Sequence, residues 1–264
     1  MDTLVLMAHG SRDADAVREL ADLGGAVRAA HGGPLEMGVL EFPGALPSIQ
    51  EAFDRAVASG ARKIVGQPLL LFCGDHNHGD MPEQVALLRS RHPGVQVSLG
   101  SHLGIHDDLL DIVGERAAAA LESLGAPSGD TALLLVGRGT YRPEANADLF
   151  KIARLCWERL QPHWGLVEAA FVSLAPPGVP EGLRRCAALG ARRVVVVPYF
   201  LNTGTLVKRI AQQAAETARE LPGVQVAVAA HLGLDPRCIG LILRRTEEAA
   251  RGLPAVGYAA GGLR

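Results

Sequence analysis

Residues 69–82 read LLLFCGDHNHGDMP and place a loop with two histidines between an apolar segment and a helix. The apolar run that ends at Phe72 is typical of a strand buried on both faces of a parallel sheet. Pro82 fits the first turn of a helix, because the N–H that proline lacks would have no partner there. His76 and His78 are therefore predicted to follow the carboxyl end of a strand, where open α/β sheets bind ligands.

Short apolar runs alternate with amphipathic segments on both sides of this loop. Val17, Leu20 and Val27 have the spacing of one apolar helix face. Strands that alternate with helices indicate a parallel sheet flanked by helices. The predicted elements are strand 3–8, helix 13–30, strand 35–42, helix 48–59, strand 63–72, helix 80–91, strand 95–99 and helix 107–124.

The pattern then starts again, and the second half repeats the first. Gly60 matches Gly190 and Pro93 matches Pro222, so the offset is 130 residues at one position and 129 at the other. An offset that is steady across a whole half indicates an internal duplication. We predict two duplicated α/β domains over residues 1–125 and 130–252, each a four-stranded parallel sheet flanked by helices, followed by a tail over 253–264. We also expect a monomer with pseudo-two-fold symmetry and a ligand cleft between the halves.

The composition is typical of a folded protein that binds neither nucleic acid nor membranes. Hydrophobic residues make up 48% of the 264 residues and charged residues 20%, which favours a packed core. The net charge is −2 and no basic run appears, so nucleic acid is not an expected partner. No apolar run approaches the roughly 20 residues of a membrane span, and the start of the chain lacks the basic region of a signal peptide. We therefore expect a cytoplasmic protein.

Three predicted strand ends of the first half carry side chains that bind metal ions: His9, Glu41 and His76. Parallel strands bring their carboxyl ends to one edge of a sheet, so we expect these side chains to lie close together. Two imidazoles and a carboxylate suit divalent cobalt, iron, nickel or zinc. Such a set leaves coordination positions open, as a catalytic or transfer site requires.

The second half carries basic residues where the first half carries these donors. Arg138 stands at the position of His9, and no histidine stands opposite His76. Arg142 and Lys208 add positive charge to the same half. Because arginine is suited to the recognition of carboxylates and phosphates, we expect this half to bind anionic groups of the ligand.

Both halves resemble the sirohydrochlorin chelatases, the class II tetrapyrrole chelatases of cobalamin and siroheme synthesis, and the second half resembles the degenerate repeat of their long form. The resemblance covers about residues 3–250. The motifs that carry it are the strand and His-Gly-Ser-Arg of Leu4–Arg12, Leu40-Glu41 with Pro47-Ser48, the segment Pro68–Pro82, Leu103–His106, Gly137–Gly139 and Glu144–Asp148.

This resemblance implies insertion of a divalent metal, Co²⁺ ahead of Fe²⁺, into sirohydrochlorin without an organic cofactor or ATP. It implies that His9 and His76 bind the incoming metal, and it places an acidic group at Glu41. The sequence departs from the family pattern at His78, where lysine is more usual, and at Cys73, so either residue is a candidate further ligand. The residues that we expect to contact the tetrapyrrole are Ser11, Arg12, Arg138, Arg142 and Lys208.

Two other functions are compatible with these residues. The first is a non-catalytic protein of the same fold that binds or delivers a divalent metal through His9 and His76. The second is a phosphate-binding transferase that uses Gly10-Ser11 and Gly139-Thr140 at helix N-termini, although no P-loop or G-x-G-x-x-G sequence supports it.

Overall fold

The computed structural model describes residues 2–72, 80–125, 129–160 and 164–253. The described residues form two copies of a β-α-β-α-β-α-β-α pattern. The first copy consists of β1 Thr3–Ala8, α1 Ala14–His31, β2 Leu35–Val39, α2 Ile49–Ala58, β3 Lys63–Pro68, α3 Asp80–Arg91, β4 Gln96–Leu99 and α4 Asp107–Leu121. The second consists of β5 Thr131–Gly137, α5 Pro143–Leu160, β6 Leu166–Phe171, α6 Val179–Ala188, β7 Arg193–Pro198, α7 Thr205–Arg219, β8 Gln225–Val228 and α8 Pro236–Ala250.

The predicted fold class is confirmed, because each copy has its own four-stranded parallel sheet. The strand orders are β2-β1-β3-β4 and β6-β5-β7-β8. Every residue of β1 and of β5 is buried, which explains why both strands are continuous apolar runs in the sequence. The carboxyl ends of β1 and β2 meet at one edge of the first sheet, and those of β5 and β6 meet at the matching edge of the second.

Two strands end earlier than predicted. The sequence predicts a second strand as far as Phe42, but β2 ends at Val39, since Phe42 has a φ of +54° that is incompatible with a strand. The third strand is predicted as far as Phe72, but β3 ends at Pro68. The main chain after Pro68 pairs with the loop that follows β4, where Leu103 donates to the carbonyl of Leu70. Because β2 ends at Val39, Glu41 lies in the loop that follows this strand.

The chain divides into two compact units that do not coincide with the two sequence repeats. Unit 1 comprises Met1–His106 and Leu234–Arg264, and unit 2 comprises Asp107–Gly233. In unit 1, α8 packs against α1, β3 and β4, whereas in unit 2 α4 packs against α5, β7 and β8. The last helix of each repeat thus belongs to the unit formed by the strands of the other repeat. The pseudo-two-fold relation and the cleft between the halves stay predictions.

The structure contains no membrane-spanning helix among the residues that it describes, since none of these helices is both long and apolar enough.

Candidate functional site

The loops that follow β1 and β2 are joined by main-chain contacts at the edge of the unit 1 sheet. The amide of Leu40 donates to the carbonyl of Ala8 at 2.9 Å, and the amide of Glu41 donates to the carbonyl of His9 at 2.8 Å. Gly10 has a φ of +95°, and a Cβ at this position would lie 2.0 Å from the carbonyl oxygen of Glu41. Only glycine therefore permits this approach, which places the side chains of His9 and Glu41 side by side.

The His9 and Glu41 side chains form a pair of metal-capable donors. Nε2 of His9 lies 3.8 Å from Oε2 of Glu41, and the two side chains are 30% and 44% exposed. Because metal–ligand bonds to nitrogen and oxygen are about 2.1 Å long, two donors of one ion lie at most about 4.2 Å apart. The observed separation fits a shared metal ion, and the exposure leaves room for another ligand on the ion.

The other predicted metal ligands lie outside the described residues. His76 and His78, together with Cys73, fall in the segment 73–79. Within the described part of the chain, no group of three or more His, Cys, Asp or Glu side chains is arranged to hold a metal ion. The roles of these three residues as ligands therefore stay predictions.

Ser11 and Arg12, which we expect to contact the tetrapyrrole, have different surroundings in the same loop. The hydroxyl of Ser11 accepts a hydrogen bond from the amide of Asp13 at 3.0 Å, and Asp13 caps α1. This contact gives Ser11 a role in the turn that starts the helix. The guanidinium of Arg12 lies 4.3 Å from the ring centroid of Phe42, and both side chains are exposed.

The same loop arrangement recurs in unit 2 with different side chains. The amide of Ser173 donates to the carbonyl of Arg138 at 3.0 Å, and a Cβ at Gly139 would lie 2.0 Å from the carbonyl oxygen of Ser173. Arg138 is thus the structural counterpart of His9, as the sequence predicts, and Ser173 is the counterpart of Glu41. Unit 2 therefore replaces both donors of the His9–Glu41 pair.

Arg142 and Lys208 lie at the N-terminal ends of two helices of unit 2. The amide of Arg142 donates to the hydroxyl of Thr140 at 3.2 Å, just before α5 begins. The side chain of Asn146 holds the same loop through the amide of Thr140 at 3.0 Å and its carbonyl at 2.8 Å. Lys208 lies in the first turn of α7, where its amide donates to the carbonyl of Gly204 at 3.0 Å. Helix N-termini favour anionic groups, so an anionic ligand suits the position of either cation.

The buried cysteines of the described chain are not candidate metal ligands. Burial raises the pKa of the Cys156 thiol to about 12, and it does the same for Cys186. Among the described residues, neither thiol belongs to a group of three or more side chains that could hold a metal ion. Cys238 is also fully buried.

The sequence analysis did not predict the positive φ and the exposure of Phe42, which it placed in a strand. It also did not predict that Ser173 corresponds to Glu41. Phe42 is one of only six phenylalanines and directly precedes Pro43-Gly44, which is a signal for an unusual turn. The offset between the repeats does not lead from Glu41 to Ser173, because it is 129 or 130 residues elsewhere and 132 residues in this loop.

These features define the class of the protein as a duplicated α/β fold with an open donor pair at one sheet edge and basic residues at the matching edge. The model of the CbiX family matches residues 3–120 and 132–249, which covers both repeats. The chain belongs to the CbiX family.

Named relatives support this assignment. The sirohydrochlorin cobaltochelatase of Priestia megaterium is 33% identical over 206 residues, which are 78% of this chain and 67% of that protein. The sirohydrochlorin ferrochelatase of Bacillus subtilis is 28% identical over 248 residues, which are 94% of this chain and 91% of that protein. Among solved structures, SirB from Bacillus subtilis with Fe³⁺ is 27% identical and has a TM-score of 0.79, with 96% of this chain and 97% of that chain covered.

Proposed function

We propose that this chain is a chelatase that inserts a divalent metal, Co²⁺ or Fe²⁺, into sirohydrochlorin. The observation that carries the proposal is the His9–Glu41 pair, whose nitrogen and oxygen atoms lie 3.8 Å apart at the edge of a CbiX-family sheet. Relatives that match most of this chain are named as a cobaltochelatase and a ferrochelatase of the same tetrapyrrole. The metal is a substrate in this reaction, and the absence of an organic cofactor stays a prediction.

The donor set suits a metal that must be released. Imidazole and carboxylate bind divalent cobalt, iron, nickel and zinc, so the site accepts the metals of this series without selecting one by ligand type. Two protein donors hold an ion less firmly than a closed structural site of four ligands would. We therefore assign His9 and Glu41 to transient binding of the incoming ion, with His76 as the expected third ligand.

Metal insertion also requires proton transfer. Two pyrrole N–H protons leave the macrocycle as the divalent ion enters, so the charge of the ring core is unchanged. A carboxylate accepts protons, and so does a neutral imidazole, whose ordinary pKa of about 6.5 lies close to neutrality. Glu41 and His9 are therefore the candidate proton acceptors as well as the candidate ligands.

The carboxylates of sirohydrochlorin require positive charge at the binding site. We assign this role to Arg138, Arg142 and Lys208 of unit 2 and to Arg12 of unit 1, since guanidinium groups bind carboxylates through paired hydrogen bonds and a lysine ammonium binds them as a point charge. Because one chain contains both repeats, we expect the monomer to be active. The cytoplasmic location stays a prediction.

The decisive experiment compares His9→Ala with Arg138→Ala, which change structurally equivalent positions. Visible spectra of sirohydrochlorin are recorded anaerobically with Co²⁺, Fe²⁺, Ni²⁺ and Zn²⁺ in turn, and Co²⁺ binding is measured separately by calorimetry. We expect His9→Ala to weaken Co²⁺ binding and to lower the insertion rate at least tenfold. Arg138→Ala should bind Co²⁺ as the wild type does and should raise the KM for sirohydrochlorin.

The alternatives predict other results. A protein that only binds or delivers metal would bind Co²⁺ through His9 without accelerating insertion by the wild type. Full insertion activity in His9→Ala would contradict the assignment of the site while leaving the activity intact.

A further inference from the structure

We propose that Phe42 is a substrate-positioning residue whose exposed ring contacts the macrocycle of the tetrapyrrole beside the His9–Glu41 pair. The proposal rests on the function proposed above and names a contact of the same site. It follows from the backbone strain at this residue, from the exposure of its side chain and from the recurrence of both features in unit 2.

The main chain at Phe42 is strained in a way that a turn alone does not require. Its φ is +54°, in the left-handed region that costs a residue with a Cβ roughly 1–2 kcal/mol. Glycine adopts this conformation without steric cost, so a turn with only a structural role favours glycine. Strain of this kind is characteristic of functional sites, where the surrounding contacts hold the residue in place. Here the hydrogen bond from the Glu41 amide to His9 and the close approach of Gly10 provide those contacts.

The strained conformation leaves a large part of the phenylalanine side chain exposed. Phe42 is 42% exposed, although burial of a phenylalanine is worth about 1.5–3 kcal/mol relative to exposure. The guanidinium of Arg12 lies 4.3 Å from the ring centroid. Directly after Glu41, the loop therefore presents a partly exposed aromatic ring that carries a cation over one of its faces.

Unit 2 repeats this arrangement with a different amino acid. Leu174 follows Ser173 as Phe42 follows Glu41, has a φ of +60° and is 43% exposed. The duplication has thus replaced the metal-capable side chains, while a bulky, exposed apolar residue occupies the strained position in both units. Burial in the core of each unit does not account for this, since 42% of Phe42 and 43% of Leu174 stay exposed.

The chemistry of a tetrapyrrole matches this surface. The macrocycle is a broad planar ring with apolar faces and a carboxylate periphery, so it can stack on an aromatic ring while its carboxylates meet guanidinium groups. A metal donor pair must act on the centre of that ring. An aromatic residue adjacent to Glu41 is therefore well placed to set the height and tilt of the ring over the donors.

The test measures binding of metal-free sirohydrochlorin by absorbance titration, with Co²⁺ binding and urea unfolding measured on the same proteins. The variants are Phe42→Gly, which removes both the ring and the strain, and Phe42→Tyr, which keeps the ring. Phe150→Ala is the matched control, since Phe150 is also 42% exposed but lies on α5. We expect Phe42→Gly to raise the Kd about tenfold, which corresponds to about 1.4 kcal/mol. Phe42→Tyr and Phe150→Ala should bind as the wild type does.

Co²⁺ binding and stability distinguish this role from a structural one. Phe42→Gly should bind Co²⁺ normally and should be about as stable as the wild type, because the relief of the positive φ offsets the greater freedom of glycine in the unfolded chain. Unchanged binding of sirohydrochlorin by Phe42→Gly would overturn the proposal even if the wild type inserts metal. If the wild type binds sirohydrochlorin and loses affinity with Phe42→Gly but inserts no metal, the proposed function fails and the contact stands. No binding by the wild type overturns both.

Discussion

Gly10 shows how a single residue sets the geometry of the candidate metal site. Its positive φ and its lack of a side chain allow the loops after β1 and β2 to touch, and this contact aligns His9 with Glu41. Gly60 provides a comparison, because its φ of +93° is nearly the same as that of Gly10 but no atom lies within 4 Å of its added Cβ. Substitution of Gly60 therefore measures only the cost of a side chain at a positive φ, whereas substitution of Gly10 adds the cost of the clash with Glu41.

We expect Gly10→Ala to be the more harmful substitution. Gly60→Ala should lower the free energy of unfolding by roughly 1–2 kcal/mol, the cost of a left-handed residue with a Cβ. Gly10→Ala should lower it further and should also weaken Co²⁺ binding, because the Glu41 carbonyl must move away. Urea unfolding and calorimetry with Co²⁺ measure the two effects. Equal losses of stability with unchanged Co²⁺ affinity would show that the contact does not set the site.

At the scale of elements, α2 and α3 are joined by a polar network around Asp54. Arg91 Nη2 donates to one carboxylate oxygen of Asp54 at 2.7 Å, and His92 Nε2 lies 2.9 Å from the other. Partial burial alone would raise the pKa of the Asp54 carboxyl. The hydrogen bonds from His92 and Arg91 outweigh this effect, so the pKa is held below its ordinary value.

This lowered pKa predicts a pH-dependent contribution to stability. Asp54 stabilises the fold above the unfolded-state pKa of about 3.9, and the contribution is lost as the pH falls through the folded-state value. Asp54→Asn should therefore lower the free energy of unfolding at pH 7 by up to about 1 kcal/mol, whereas the two proteins should converge as the pH falls below the lowered pKa of Asp54. Urea unfolding at several pH values measures the difference. Glu158→Gln, which removes an exposed pair with Arg154 on α5, should have a smaller effect at pH 7. A loss for Asp54→Asn that is independent of pH would contradict the assignment.

At the scale of the whole molecule, each compact unit contains the last helix of the other repeat: α8 belongs to unit 1 and α4 to unit 2. Leu241 and Ile242 of α8 are fully buried in unit 1. Arg245, which is 4% exposed, donates to the carbonyl of Leu103 at 3.0 Å and to Glu248 at 2.8 Å. The unit that carries His9 and Glu41 thus depends on a helix that the second repeat supplies.

The exchange predicts that the first repeat does not fold alone as a monomer. A fragment of residues 1–125 lacks α8, and its own α4 carries buried apolar residues that pack in unit 2 of the full chain. We expect this fragment to be unfolded, or to dimerise by placing the α4 of one copy on the sheet of the other. Circular dichroism, urea unfolding and size-exclusion chromatography, with the full chain as the reference, measure the outcome. A monomeric fragment that unfolds cooperatively would refute the prediction.

The local pattern of the sequence was sufficient to predict the duplication, the order of the elements and the positions of His9 and Glu41 at one sheet edge. These properties depend on hydrophobic periodicity and on the rule that parallel strands share their carboxyl edge, and both can be read from neighbouring residues. The predicted ends of β2 and β3 were less accurate, because the apolar residues of both strands continue into loops. Phe42 in the first of these loops has a positive φ, and the chain after Pro68 pairs with the loop that follows β4.

By itself, the sequence of this protein determined two α/β repeats, with metal-capable side chains at the strand ends of the first and basic residues in the second. Only the tertiary structure decided which last helix packs on which sheet, since both helices carry an apolar face and hydrophobic periodicity does not say which sheet that face covers. Only the structure showed that Ser173 is the counterpart of Glu41, because Ser173 donates to Arg138 as Glu41 donates to His9, and that the guanidinium of Arg12 lies over the ring of Phe42. These contacts are formed within each unit by residues of separate segments, and an offset between repeats cannot predict them where the loop lengths differ.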